Sequence, residues 1–493
     1  MRRVECLAAA LAAILLAIVT IHAQQAAIDL PVNLNTSYKG EEFLLIGNAI
    51  RGAGEPVIAI NPKNPNNIIV GGMANLHYVE GQPPWGGRGL SQAVIIPYRN
   101  TPDSSITIFA ISNDRGRTWR FIEGDFHKVD KMNGTADPFV GAGPDGTMYI
   151  GAMSFFPLNA TEEMKQKEAD PGLLYGYTDI EVSKDEGKTW SQPIHVMGHY
   201  TKPEEYGPGV KPGVRGTTPY DRPYLYSDLS TGTIYVPGNG TGGEPVHRET
   251  FVRASKDNGK TWGLIYSYDS PEWPQSGGAS KPRAAHGVLG IAYIASSVPD
   301  KNVKCPCMVF GASRDDGRTF ERHVAPYEPP TGGGGFGIGG PLLAADPSHA
   351  GRYAIGFVAG SEIKVALTDD YGKTWKGPTV AGSTPGAARI TKPDMDYSTK
   401  GELALMWLAT NQDQTFRAWS SASHDGGSVF GKSIQVSSAP SPSRASIIKR
   451  GNNWDGDDIA TMAVDDQYVH MVWGDLRAGF LGSWYARIPL ASY

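Results

Sequence analysis

Charged and aromatic residues recur at the heads of short apolar runs along this chain, and their types suit chemistry on an acidic carbohydrate. Glu55, Asp137, Asp221 with Arg222, Arg283 with His286, Lys392 with Asp394, and Asp457 with Asp458 all occupy such places. Cleavage of a glycosidic bond needs one carboxyl to protonate the leaving oxygen while a nucleophile or water attacks the anomeric carbon. Asp137, Asp221, Asp394 and Asp457 offer that carboxyl, and Tyr220 offers a phenolic nucleophile if a neighbouring carboxylate takes its proton. Arg222 and Arg283 can grip a substrate carboxylate bidentately, Arg477 in "WGDLRAG" is a third guanidinium, and Glu55 and Lys392 would line the same pocket. His77 in "ANLHYVEG" and His286 in "RAAHGVLG" allow a different reaction. A base titrating near neutrality beside a cation can abstract the proton next to a uronate carboxylate, which is the logic of a lyase. Each residue also has a plainer role: Asp before Pro caps turns, Arg pairs across sheets, and a buried His satisfies its neighbours.

Something must bring these scattered positions together, and two repeats supply it. The octets "SNDRGRTW", "SKDEGKTW", "SKDNGKTW", "SRDDGRTF", "TDDYGKTW" and "SHDGGSVF" place aspartates at 114, 185, 257, 315, 370 and 425, in steps of 71, 72, 58, 55 and 55 residues. Each reads as a hairpin turn: Asp accepts from backbone N–H groups just ahead, Gly supplies a positive φ, and the closing aromatic begins a strand. Seven pairs of apolar strands around a turn form the second repeat, from "EPVIAINPKNPNNIIVGG" at 55–72 to "DDIATMAVDDQYVHMVWGD" at 457–475. Periods of this length suit four-stranded propeller blades, so an all-β propeller is expected, with seven blades favoured over six. The last unit ends "GSWYARIPLASY" without an octet. An open ring would leave a sheet edge unpaired, so a segment around Val32–Leu45 is expected to supply the missing outer strand.

Composition narrows the function. Charged residues are 19% of 493, with 61 Gly and 36 Pro, which fits many strands joined by turns. A net charge of −5 argues against a nucleic-acid footprint. The start "MRRVECLAAALAAILLAIVTIHAQQA" reads as a secretory signal over residues 1–23, and 24–493 as one exported domain, extracellular or periplasmic, monomeric and off the membrane once cleaved. Cys305 and Cys307 in "KCPCMVF" are open to a local disulfide or two inert thiols. "TGGGGFGIGGPLL" leads into a strand rather than a helix, so it is no dinucleotide loop, and no cluster has metal-ligand spacing; no cofactor or metal is expected. The insertions 73–104, 154–178, 192–220 and 264–283 are where binding chemistry would concentrate, and "NATEEMKQKEAD" could form a short helix.

The six octets, of the form S-x-D-x-G-x-T-W, resemble the Asp-box (BNR) repeats of the sialidase, or neuraminidase, superfamily over about residues 50–490. The resemblance implies a propeller whose boxes lie on outer hairpins away from a central pocket. It also implies three arginines around a carboxylate, a Tyr–Glu nucleophilic pair and an aspartic acid/base. That family's first arginine sits in a Phe/Tyr-Arg-Ile-Pro string before the first box, a place held here by "EPVIAINP"; the comparable "YARIP" is at Tyr485–Pro489. The expectation is a secreted hydrolase of terminal acidic sugars, with a lyase or other non-hydrolytic catalyst in the same pocket, or a non-catalytic propeller binding a glycan or protein, as alternatives.

Overall fold

Apolar strand pairs separated by turns fold here into seven small antiparallel sheets set in a ring, a seven-bladed propeller. The computed structural model describes residues 41–47, 52–75, 106–126, 132–157, 176–198, 201–210, 221–240, 249–328, 341–443, 456–457 and 459–493. Blades 1 to 7 begin in chain order with the strands Gly52–Ile60, Met132–Ala142, Tyr226–Ser227, Gln275–Ala279 with Arg283–Ala285, Leu342–Ala345, Arg389–Tyr397 and Ala460–Val464. These first strands pack on one another around the axis; Gly52–Ile60, for example, touches both Met132–Ala142 and Ala460–Val464. Second and third strands are covered on both faces by neighbouring blades. They therefore read as continuous apolar runs such as LALMWLAT over Leu403–Thr410, all buried.

The octets begin on the last residue of the third strand in blades 1 to 6: Ser112, Ser183, Ser255, Ser313, Thr368 and Ser423. In blade 5 the Thr368 hydroxyl donates to Asp370 Oδ1 at 2.8 Å and accepts from Gly372 N at 2.8 Å. Asp370 in turn accepts from the Thr374 amide at 2.8 Å and from its hydroxyl at 2.7 Å. The glycine is required twice over. Gly372 has φ +90°, and a Cβ there would stand 2.4 Å from Phe310 of the preceding blade. The octets thus lean each blade on the third strand of the one before it, and Gly116 of blade 1 leans on Tyr485 of blade 7.

The ring closes as the sequence predicts. Glu41–Ile46 runs antiparallel to Gly482–Pro489 and becomes the outer strand of blade 7. Arg487 pairs with Glu41, and Arg477 with Glu42 at 2.8 Å. Cys305 and Cys307 are joined in a disulfide, which resolves the alternatives at that pair. Insertion 264–283 contributes the strands Tyr266–Ser267 and Gln275–Ala279. The helix considered at 159–170, most of insertion 73–104 and the glycine-rich stretch 331–340 lie outside the described residues.

Candidate functional site

A charged residue followed by proline interrupts five of the first strands: Glu55-Pro56, Asp137-Pro138, Arg222-Pro223, Lys281-Pro282 and Lys392-Pro393. Proline has no N–H to give the ladder and drives the residue before it out of the helical region, so the strand bulges there. The register slips between Gly54 and Val57, between Ala136 and Phe139, and between Thr391 and Asp394. Blade 3 pairs first through Asp221 with Asn239 and resumes at Tyr226. In blade 4, Gln275–Ala279 and Arg283–Ala285 lie on either side of the step. Four of the bulged residues sit at positive φ although none is glycine: Glu55 at 51°, Asp137 at 44°, Arg222 at 50° and Lys392 at 50°. Strain of this kind costs on the order of 1–3 kcal/mol per residue.

Carboxylates of adjacent blades hold the strained amides. Asp457 Oδ2 accepts from Glu55 N at 3.0 Å, and Asp137 Oδ2 accepts from Arg222 N at 3.0 Å. Asp394 Oδ2 accepts from Met462 N at 3.1 Å across the blade 6–7 boundary. A Cβ on Gly54 would collide with Asp457 Oδ2, so that contact depends on the glycine. Lys392, Glu55, Asp394 and Asp457 are all buried.

Below the bulges a charged cluster crosses the axis from blade 4 to blade 6. Lys281 Nζ lies 3.0 Å from Asp394 Oδ2, Arg283 Nη2 lies 3.9 Å from Asp394 Oδ1, and Arg283 Nε lies 3.8 Å from Asp396 Oδ1. Tyrosines of blade 3 floor it: the Arg283 guanidinium stands 3.9 Å from the Tyr226 ring centre, and Lys281 Nζ 4.9 Å from that of Tyr224. Burial works to lower the Lys281 pKa, but Asp394, Tyr226 and Tyr224 together outweigh it and hold the ammonium charged. Burial likewise opposes the Arg283 charge, which Tyr226, Asp396 and Asp394 restore and strengthen. Burial pushes the Asp396 carboxyl up to about 6 against the pull of Arg283. Burial also pushes the Tyr224 phenol up to about 12, a rise moderated by Lys281 and Arg222, so all three groups share one electrostatic neighbourhood.

Beneath this cluster a cavity of about 300 Å³ occupies the channel, walled by Val57, Ala59, Val140, Ala142, Met462 and Val464 and topped by Tyr226, Arg283 and Asp396. It reaches the turns that join first to second strands, at Pro62, Leu229 and Thr399, the end opposite the strand starts. Among the described residues no group of three His, Cys, Asp or Glu side chains is placed to hold a metal.

The structure thus brings Glu55 together with Asp457, Asp137 with Arg222, and Arg283 with Asp394. It separates two residues from them. His286 was expected beside Arg283 at a strand start but lies in the tight turn to Val288, at the other end of the strand, exposed to solvent. His286 and Gly287 take φ of 55° and 74°, as a two-residue hairpin turn requires, and Asp228 Oδ2 accepts the Gly287 amide at 2.6 Å. Arg477, expected as a third substrate grip, is held by Asp475 at 2.6 Å and Glu42 and stacks 4.3 Å over Trp484, so it serves ring closure. His77 and Tyr220 lie outside the described residues. Lys281, Asp396, Tyr224 and Tyr226 were missed. Lys281-Pro282 repeats the step of Glu55-Pro56, and Asp396 and Tyr226 follow Asp394 and Tyr224 by two residues, the spacing that returns a side chain to the same face of a strand.

No protein-family model matches the chain, and no curated protein matches it in sequence. Solved structures similar to it include the Hadza microbial sialidase Hz136, at 15% identity and TM-score 0.42, covering 80% of this chain and 75% of that one. A Trypanosoma rangeli sialidase in complex with the inhibitor DANA gives 14% identity and TM-score 0.43 over 77% of this chain, which spans 56% of that protein. A Penicillium chrysogenum alpha-L-arabinanase complexed with arabinobiose gives 16% and 0.41, with coverage of 72% and 94%. The fold itself rests on the seven sheets.

Proposed function

We propose that this protein is a glycoside hydrolase of terminal acidic sugars, working at the end of the channel where the first strands start. One observation carries the reading: at equivalent places in blades 1, 2, 3 and 6 a charged residue, never glycine, is held at positive φ. Glycine would adopt that backbone without strain, so the side chains are retained for what they do at the axis. Arg222 and Lys392 supply positive charge from blades 3 and 6, suited to a sugar carboxylate. Asp137, Asp394 and Asp457 already accept backbone N–H groups and are assigned to the frame. Glu55 is assigned the proton for the departing glycosidic oxygen, with attack on the anomeric carbon from the opposite face by water or by a residue such as Tyr220. Export directed by residues 1–23 and action as a monomer outside the cell belong to the same proposal.

The test is release of an aryl group from a panel of aryl glycosides of sialic and uronic acids and their neutral counterparts. Turnover confined to the acidic members, lost in Glu55→Gln and with raised KM in Arg222→Ala and Lys392→Ala, supports the proposal. A product with a new double bond would replace it with a lyase, and tight binding without release would replace it with a binder.

A further inference from the structure

The axial cavity below the charged cluster is separate from the strand-start site and opens on the opposite face. Its chemistry is specific. Arg283 is 95% buried, and its Nε finds no hydrogen-bond partner. The nearest acceptor of opposite charge, Asp396 Oδ1, is 3.8 Å away, too far for a direct bond. A buried guanidinium N–H left unbonded is costly, and an oxygen seated between the two atoms can reach both within about 2.8 Å. That oxygen must accept from Nε and donate to the carboxylate. A hydroxyl does both; a ligand carboxylate cannot donate, and an ammonium cannot accept.

The surroundings fix the rest of the ligand. Lys281 and Arg283 face Asp394 and Asp396 at the top of the cavity, and Arg115 and Lys400 face Asp465 and Asp466 at its far mouth, so the ionised groups balance and favour neither sign of added charge. The walls at Val57, Ala59, Val140, Ala142, Met462 and Val464 are aliphatic and suit the C–H face of a small ring. About 300 Å³ stands at the lower end of the range for small-molecule sites, room for one compact ring rather than a chain of them.

We propose that this cavity is a second ligand site, taking an uncharged polyol of monosaccharide size, one hydroxyl of which bridges Arg283 Nε and Asp396 while its C–H face lies on the aliphatic wall. The site is built from blades 1, 2, 3, 4, 6 and 7 together, so an occupant ties six of the seven blades to one another. It does not depend on what the strand-start site binds or cleaves.

The experiment titrates the whole protein with glucose, galactose, xylose and myo-inositol, and with glucuronate and glucosamine as charged controls, by ligand-observed NMR and isothermal calorimetry. At least one neutral polyol should bind at least tenfold more tightly than the charged sugars. Ala142→Phe, which fills the cavity, and Asp396→Asn, which preserves its shape, should each weaken that binding at least tenfold, with circular dichroism confirming the fold. A crystal soaked with the tightest polyol should show it against Arg283 and Asp396. The proposal is overturned if no neutral polyol binds, if charged sugars bind as tightly, or if only water occupies the cavity at saturating polyol. Binding that survives Ala142→Phe and Asp396→Asn yet vanishes in Glu55→Gln would belong to the strand-start site and overturn it equally.

Discussion

The octet turns and the strand-start bulges are both repeated features of one propeller, yet they repeat opposite things. The octets keep their residues: Asp, Gly and an opening Ser or Thr recur in blades 1 to 6, and the same hydrogen bonds recur with them. The bulges keep only their backbone, since Glu55, Asp137, Arg222 and Lys392 share a φ near 50° but not a charge. A turn whose side chains make the turn must keep those side chains. A backbone defined by proline and a neighbouring carboxylate leaves its side chain to be varied from blade to blade. Constancy therefore marks the scaffold here, and variation on a constant frame marks the place where chemistry is set.

The sharpest way to break this contrast is to change one bulge side chain without changing its backbone. Glu55→Gln keeps shape and φ but removes the ionisable proton, and a general acid contributes on the order of 10²–10⁴-fold to rate. Hydrolysis of the best acidic glycoside should fall by at least about 100-fold, with the melting temperature close to wild type. A variant with unaltered turnover would return Glu55 to a framework role and remove the basis for reading variation as chemistry.

The corresponding change in an octet should do the reverse. Gly372→Val must carry a β-branched residue at φ +90° and drive its Cβ into Phe310. Unfavourable φ and overpacking together should cost roughly 2–5 kcal/mol of unfolding free energy, read by denaturant titration. Turnover per folded molecule should be unchanged. If activity fell with stability unaltered, the octets would be functional and the contrast would fail.

The same contrast explains what could be read from the sequence. The ring, its seven units and its closure by an amino-terminal strand were legible because the octets and apolar pairs repeat as residues. Glu55, Asp137, Arg222 and Lys392 were found as charged residues heading apolar runs. The repeat that relates them was not seen, because only the proline recurs and φ is not written in a sequence. Lys281 escaped for the same reason. Arg283 was found, but its partner Asp396 was not, because a contact between blades 4 and 6 spans 113 positions and crosses the axis. His286 misled because a His-Gly turn after three strand residues looks like the run itself; the short strand Arg283–Ala285 has no fourth residue to separate its ends.

Acid–base behaviour separates the regions more gently. Burial raises the Asp396 pKa to about 6, above the usual carboxylate range, so the folded protein binds this proton more tightly than the unfolded chain. The stability it contributes is present below about pH 4 and is lost as pH rises through about 6. With the side chain about a third open to the cavity, solvent screens the carboxylate in part, and roughly 1–2 kcal/mol is expected. Asp396→Asn should therefore gain on wild type by about that amount between pH 4.5 and pH 8 in paired denaturant titrations. The octet aspartates run the other way: for Asp370 the Thr374 hydroxyl and amide hold the pKa at about 2, so its contribution is present above about pH 4 and is lost as pH falls through 2. A gain for Asp396→Asn that grew toward acid pH would contradict the placement of that carboxyl in the axial cluster.

The smallest effect tests the octets from within. Blade 6 carries "SHDGGSVF", with Val429 where the other five have threonine. The Val429 amide still donates to Asp425 Oδ1 at 2.9 Å, as Thr374 does to Asp370, but the second oxygen has lost its hydroxyl donor. Val429 is 70% exposed, so burial gives no reason for the apolar methyl. Threonine has the same branched shape, and Val429→Thr should restore a bond like the 2.6–2.7 Å contacts of Thr118, Thr189, Thr261, Thr319 and Thr374. At an exposed site, where water competes for both partners, the gain should be a few tenths to about 1 kcal/mol, with the reciprocal Thr374→Val losing a similar amount. Equal and opposite shifts in the denaturation midpoint would show that the octet residues act as one interchangeable turn; a Val429→Thr variant no more stable than wild type, beside a Thr374→Val that loses stability, would show that blade 6 holds its turn by other means.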